Sequence, residues 1–143
     1  MEFEGEYIDD KRNGKGKEYF KNLLSYEGEY LDDERNGFGK EYYFYDGKLK
    51  YEGGYLNGKW HGKGKLYRSN GEIEFEGQYD NGIKWNGKGK EISNNGEMEF
   101  EIEYKNGNKI KGEGRLIIKT NNENKKSIEN KIGNEEHKKC FIF

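Results

Sequence analysis

Five segments of this chain repeat one pattern: an aromatic residue, a Glu, a place that is Gly in four of the five, and a Tyr four residues after the first. They are Phe3-Glu-Gly-Glu-Tyr7, Tyr26-Glu-Gly-Glu-Tyr30, Tyr51-Glu-Gly-Gly-Tyr55, Phe75-Glu-Gly-Gln-Tyr79 and Phe100-Glu-Ile-Glu-Tyr104, beginning 23, 25, 24 and 25 residues apart. Each is answered downstream by a Gly-x-Gly: Gly14/Gly16, Gly37/Gly39, Gly62/Gly64, Gly87/Gly89 and Gly112/Gly114. A fixed period of this length defines a repeat array. Arrays of this kind present an extended face, so the pattern moves the question of function from catalysis to surface.

The unit reads as a β-hairpin. Alternate side chains of a strand share a face, which puts Phe3, Gly5 and Tyr7 on one side and Glu4 and Glu6 on the other. A second short run follows each Gly-x-Gly: Lys17-Glu-Tyr19, Lys40-Glu-Tyr42, Lys65-Leu-Tyr67, Lys90-Glu-Ile92 and Arg115-Leu-Ile117. Its third place is always apolar and is expected to face the core. The place before it (Glu18, Glu41, Leu66, Glu91, Leu116) is mixed and leaves the parity open. Asp46-Gly47, Asn70-Gly71 and Asn95-Gly96 mark turns between repeats, since such pairs tolerate positive φ. The first connector, Lys21-Asn-Leu-Leu-Ser25, has no Gly and is expected to be looser. Five repeats of two strands predict an all-β, elongated, single-layer antiparallel meander of about ten strands, roughly 45 Å long.

Composition supports a thin sheet. Only 30% of the residues are hydrophobic, too few for a thick core, yet half of these are Tyr, Phe or Trp. Large rings laid on closely packed glycine backbone bury far more area than aliphatic side chains would. The 38% of charged residues would suit a disordered chain, but regularly spaced aromatics do not.

Residues 3–118 resemble the MORN family of repeat proteins. The pattern in common is an aromatic-x-Gly-x-aromatic strand, an Asn-Gly-like turn, and a Gly-x-Gly leading to a second strand. Asn57-Gly-Lys-Trp-His-Gly-Lys-Gly64 matches it best. Asp9-Asp10 and Asp32-Asp33 depart from the Asn-Gly turn, and Ile102 stands where Gly is expected. Repeats four and five carry one extra residue before the Gly-x-Gly, as atypical end units would. The resemblance implies a curved antiparallel sheet used for scaffolding, partner binding or membrane association, and no chemistry of its own.

The residues themselves argue against an enzyme. Two His, one Cys and four Ser are scattered with no nucleophile–base pattern. The Gly-x-Gly elements open strands, whereas a phosphate-cradling loop opens a helix. Asp9-Asp-Lys-Arg-Asn-Gly14 has Lys at the third ligand place and no Glu at the twelfth, so it is not an EF-hand. The column Glu4, Glu27, Glu52, Glu76 and Glu101 recurs in every repeat and reads as a solvated face with cross-strand ion pairs. No catalytic residue, metal or cofactor is expected.

Two places stand out as candidate sites. The residue two before each Gly-x-Gly is Arg12, Arg35, Trp60, Trp85 or Ile110. Stacked repeats would align these along one rim, with Trp60 and Trp85 on one side about 10 Å apart. They either cover the sheet as part of the fold or form a contact stripe, since Trp and Arg are common interface anchors. The other place is Cys140-Phe-Ile-Phe143, where the lone Cys sits in a box resembling a C-a-a-X prenylation signal with a terminal Phe. Its alternative reading is that Phe141, Ile142 and Phe143 cover the exposed edge of the last strand.

Charge and hydropathy bound the partners. Residues 1–118 carry 20 Lys and Arg against 24 Asp and Glu, and residues 119–143 carry 6 against 4. A net-acidic array is a poor nucleic-acid partner. No apolar run has the length of a membrane span, and the opening residues do not read as a signal peptide. The expectation is a cytoplasmic array over 1–118 with a flexible polar tail over 119–143. The array would serve as a non-catalytic scaffold or adaptor for a protein partner, including another copy through its end strands. The alternative is a peripheral module on the cytosolic face of a membrane, held by a prenylated Cys140 or by anionic lipid.

Overall fold

The computed structural model describes residues 1–116 and 140–142. Ten strands come from the five repeats: β1 (Glu2–Ile8), β2 (Lys11–Phe20), β3 (Leu23–Leu31), β4 (Glu34–Tyr42), β5 (Leu49–Leu56), β6 (Lys59–Tyr67), β7 (Ile73–Asp80), β8 (Ile83–Ile92), β9 (Met98–Lys105) and β10 (Asn108–Leu116). An eleventh, β11 (Cys140–Ile142), lies beside β10. Spatial order follows chain order from one edge to the other, so the sheet is an open antiparallel meander with no helix among the described residues.

The turns inside the repeats set the hairpins. Asp9-Asp10, Asp32-Asp33, Asn57-Gly58, Asn81-Gly82 and Asn106-Gly107 all hold positive φ at both positions, for example 51° and 61° at Asp9 and Asp10. This is the two-residue geometry whose twist matches that of paired strands. Asp replaces Gly in the first two repeats because a short polar side chain tolerates the left-handed region.

The first connector corrects its expectation. Lys21 and Asn22 take φ of 49° and 63° and join β2 to β3 as a two-residue turn. It is tighter than residues 43–48, 68–72 and 93–97, which carry the Gly signals. Asn22 supplies the second positive φ without a Gly.

Glycines from successive strands stand opposite one another. Gly5, Gly16, Gly28, Gly39, Gly53, Gly64 and Gly77 form one continuous line across β1 to β7. Gly87 of β8 continues the line opposite Gly77, and the first aromatic residue of each of the first four repeats folds its ring over a pair of these bare backbones. A Cβ built on Gly39 would come within 2.6 Å of ring carbons of Tyr26, and one on Gly64 within 2.7 Å of ring carbons of Tyr51. Phe75 covers Gly77 and Gly87 in the same way, at 2.9 Å.

These rings make the core. Phe3, Tyr30, Tyr26, Tyr55, Tyr51, Tyr79, Phe75 and Tyr104 meet edge to face in a chain, with centroids 5.1–5.5 Å apart. Such contacts set the negative face of one ring against the positive edge of the next. Tyr26, Tyr51 and Phe75 are fully buried, although the sheet has a single layer.

The opposite face is charged. Glu4, Lys17, Glu27, Lys40, Glu52, Lys65, Glu76, Lys88 and Glu103 face one another in turn from β1 to β9. Tyr19, Tyr42 and Tyr67 join this face: their hydroxyls donate to Glu4 (3.4 Å), Glu27 (2.6 Å) and Glu52 (2.7 Å). The reading of the third place as core-facing is therefore wrong. Glu18 and Leu66, from the mixed column, are the buried residues instead. A bulge between each such pair, as at Glu18/Tyr19, restores the hairpin without disturbing the ring chain.

Gly28→Val should destabilise the array by about 1–3 kcal/mol, because the added bulk has to displace a packed ring. Glu27→Gln, on the solvated face, should change stability by less than about 1 kcal/mol. Urea melts of the two variants compare them directly.

Candidate functional site

The residue facing each second-column Tyr across its own hairpin forms a column on the ring face. The pairs are Tyr7 with Arg12, Tyr30 with Arg35, Tyr55 with Trp60, Tyr79 with Lys84 and Tyr104 with Lys109. Of the candidates named from sequence, Arg12, Arg35 and Trp60 fall in this column, whereas Trp85 and Ile110 do not. The extra residue before Gly87 and Gly112 falls between the column and the Gly-x-Gly, at the register shift that skips Trp85 and Ile110, so the column is held by Lys84 and Lys109.

Arg12, Arg35, Trp60 and Lys84 sit on the rings. The Arg35 guanidinium lies 4.1 Å from the Tyr26 centroid, and that of Arg12 lies 5.0 Å from Tyr30 and 5.4 Å from Phe3. Trp60 stacks on Tyr51 at 4.4 Å and 10°. Lys84 lies over Phe75 and Tyr104 at 5.5 and 5.7 Å. A cation over a ring face is attracted by the ring quadrupole, so Lys, Arg and Trp are interchangeable covers for this place.

Trp85 keeps only the backbone part of the pattern. The carbonyls of Arg12, Arg35, Trp60 and Trp85 each accept from the N–H of the next repeat's turn, at Asp33, Gly58, Gly82 and Gly107. The Trp85 ring lies against Gly107. It stands at the turn rim outside the ring chain, half-exposed.

Acids complete each junction. Glu18 is 5% exposed and accepts from Tyr30 at 2.7 Å, Arg35 at 2.5 Å and Arg12 at 3.0 Å. Burial alone would raise its pKa, but hydrogen bonds from Arg35 and Tyr30 and the charges of Arg35 and Arg12 outweigh it and hold the carboxyl below its ordinary value. Glu41 takes Tyr55 at 3.1 Å, Trp60 Nε1 at 3.3 Å and Lys50 at 2.5 Å. Glu91 takes Tyr104 and Lys109, and the Lys109 bond lowers its pKa. Burial pushes the phenols of Tyr26, Tyr30, Tyr51, Tyr55 and Tyr79 well above the usual tyrosine range.

One junction lacks this acid. Leu66 stands where the others have Glu, and the Tyr79 hydroxyl is buried with no hydrogen-bond partner among the described residues. Lys84 turns to Glu74 instead, at 2.8 Å. Every column member thus spends its polar groups inside the array. Among the described residues no group of three or more His, Cys, Asp or Glu could hold a metal ion. No described helix is long and apolar enough to cross a membrane.

Two open hollows lie on the charged face. One, of about 420 Å³, lies between Glu76, Lys88 and Glu103. The other, of about 510 Å³, lies between Glu4, Lys17 and Phe38. Neighbouring apolar residues are exposed: Ile8 62%, Leu31 54%, Leu56 44% and Ile83 56%, with Phe38 at 53%. By strand alternation the first four lie along the turn rim of the charged face. They are the surface feature that the repeat consensus did not reveal. The signal available was the apolar place after the second-column Tyr of the first three repeats: Ile8, Leu31 and Leu56.

This ring-on-glycine sheet defines a β-repeat protein. Residues 3–23, 26–48, 51–73 and 75–98 match the family model of the MORN repeat, and the chain belongs to that family. The hairpin of β9 and β10 continues the same sheet beyond the last matched segment. No curated protein matches the chain. For the lipidation candidate, the backbone of Cys140–Ile142 pairs with Gly112–Gly114 of β10. The flexible spacer expected from Lys119 falls outside the described residues, apart from this strand.

Tyr79→Phe should leave stability unchanged or slightly raised, since it removes a buried hydroxyl with no partner. Tyr30→Phe should cost about 1.5–3 kcal/mol, because it removes a hydrogen bond to the charged Glu18. Chemical denaturation of both variants checks the contrast.

Proposed function

We propose that this protein is a non-catalytic MORN-repeat scaffold that binds a protein partner along the turn rim of its charged face. The observation that carries the reading is the exposed row Ile8, Leu31, Leu56 and Ile83, with Phe38 beside it. The row spans four repeats and is rimmed by alternating Glu and Lys, as a protein-binding patch would be. Alternation leaves that face without a basic field, which disfavours capture of anionic lipid or nucleic acid. Of the contact candidates, Trp85 is the one whose ring is free of the internal chain, so it is assigned to the partner surface. Arg12, Arg35 and Trp60 serve the fold first and offer a partner only their outer edges.

The test compares wild type with Leu31→Ser/Phe38→Ser/Leu56→Ser in pull-downs from the native cell and in co-sedimentation with anionic liposomes. The variant should melt close to wild type, because the three side chains are exposed, and should lose the partners that wild type retains. Equal capture by both proteins would remove the row from the function. Pelleting of unmodified wild type with liposomes would favour the peripheral membrane module. Intact mass of the native protein reads whether Cys140 carries a prenyl group.

A further inference from the structure

The four junctions between repeats obey one register. The even strand offers Gly-x-Gly, a Lys, then Glu or Leu. The odd strand of the next repeat answers with Tyr, a variable place, Gly or Ile, Glu and an aromatic residue. Thus Gly14, Gly16, Lys17 and Glu18 face Tyr30, Gly28, Glu27 and Tyr26, and Gly62, Gly64, Lys65 and Leu66 face Tyr79, Gly77, Glu76 and Phe75. β10 carries the same series in Gly112, Gly114, Arg115 and Leu116. The described strand that meets it is β11, which sets Ile142 opposite Gly112 and Cys140 opposite Gly114.

The other end of the sheet is open. Among the described residues β1 has only β2 beside it. The consequence shows at Tyr7, which is 57% exposed, whereas its counterparts Tyr30, Tyr55, Tyr79 and Tyr104 are 4%, 4%, 2% and 7% exposed. Each buried counterpart is covered by the even strand of the preceding repeat. β1 therefore presents half of a junction, and β10 presents the other half.

We propose that β11 is a removable cap on a head-to-tail docking edge, and that β10 is built to receive β1 of a second copy of this chain. In the junction register Gly112 would face Tyr7 of the second copy, Gly114 would face Gly5, Arg115 would face Glu4, and Leu116 would face Phe3. Leu opposite Phe already occurs inside the array at Leu66 and Phe75. Arg opposite Glu repeats the Lys17–Glu27 pairing. One pair is unfavourable: Glu113 would face Glu6, where the first junction has Lys15 facing Glu29. Like charges directly opposite weaken a strand pair. The joint is heterologous and does not close on itself, so it would add copies end to end. A three-residue strand held by its own chain blocks this in the single molecule, in the way natural sheets protect an open edge.

The experiment uses the full chain and sedimentation velocity over a concentration series, with circular dichroism on every variant. Phe141→Pro/Ile142→Pro removes two adjacent backbone donors of β11 and should detach it. Wild type should stay monomeric, and the double variant should form oligomers that grow with concentration. Adding Glu113→Lys should tighten the association by about tenfold, as a repulsive pair becomes attractive. Adding Glu4→Lys, which sets a Lys opposite Arg115, should return the uncapped chain to monomer with its β spectrum retained. A folded uncapped variant that remains monomeric both with and without Glu113→Lys would overturn the proposal. Wild type assembling as readily as the uncapped chain, or oligomers that survive Glu4→Lys, would overturn it equally.

Discussion

A ring lying flat on two glycines of adjacent strands is the contact on which this protein depends. It solves the problem of a sheet with no second layer. Aliphatic side chains standing on such a sheet would remain half in water. A Tyr or Phe folded over bare backbone is buried by the sheet below it and by the next ring along. Tyr26, Tyr51 and Phe75 reach complete burial in this way. Glycine is required here for space more than for backbone freedom: Gly28, Gly39 and Gly64 have ordinary φ, yet none has room for a Cβ.

The second requirement is one acid and one base at each junction, and the chain meets it by several routes. The first junction uses Glu18 with Arg35. In the second, Trp60 fills the cation place, and Lys50 on the neighbouring bulge supplies the charge to Glu41. In the third, Leu66 fills the acid place, and Glu74 on the equivalent bulge answers Lys84. The fourth returns to Glu91 with Lys109. A lost charge is thus replaced from the bulge beside it. Among the described residues, the buried hydroxyl left over is that of Tyr79, which a bulge carboxylate engaged with Lys84 does not satisfy. Repeats that look degenerate in sequence are equivalent in electrostatics.

Most of the fold was legible because period, Gly spacing and aromatic alternation all report the same hairpin. Parity of the second strand was not, because its always-apolar third place suggested the core, whereas a strict count of two from Gly16 puts Glu18 on the ring face and Tyr19 on the charged face, the bulge lying on the facing strand. The looseness expected at Lys21-Asn22 failed because Asn adopts the left-handed region that was being sought only in Gly. The candidate column was legible for Arg12, Arg35 and Trp60. Beyond them, one inserted residue moved the place from Trp85 to Lys84, and spacing from the Gly-x-Gly could not show on which side of the insertion the strand would slip. The exposed row from Ile8 to Ile83 was hidden for another reason: single apolar residues beside a turn look ordinary until stacking aligns them.

Scaffolding is consistent with this division of labour, in which the ring face holds the array together and the charged face with its apolar rim stays exposed. The claim beneath all of it is the contact of ring with glycine, and a double-mutant cycle between Tyr26→Leu and Gly39→Ala measures it. In wild type a Cβ at residue 39 meets the Tyr26 ring at 2.6 Å, so Gly39→Ala should be strongly destabilising there. With the shorter Leu at residue 26 the same change should cost less, giving a coupling of about 1 kcal/mol or more. Additive losses would contradict the account, since they would mean that the ring and the glycine do not compete for the same space.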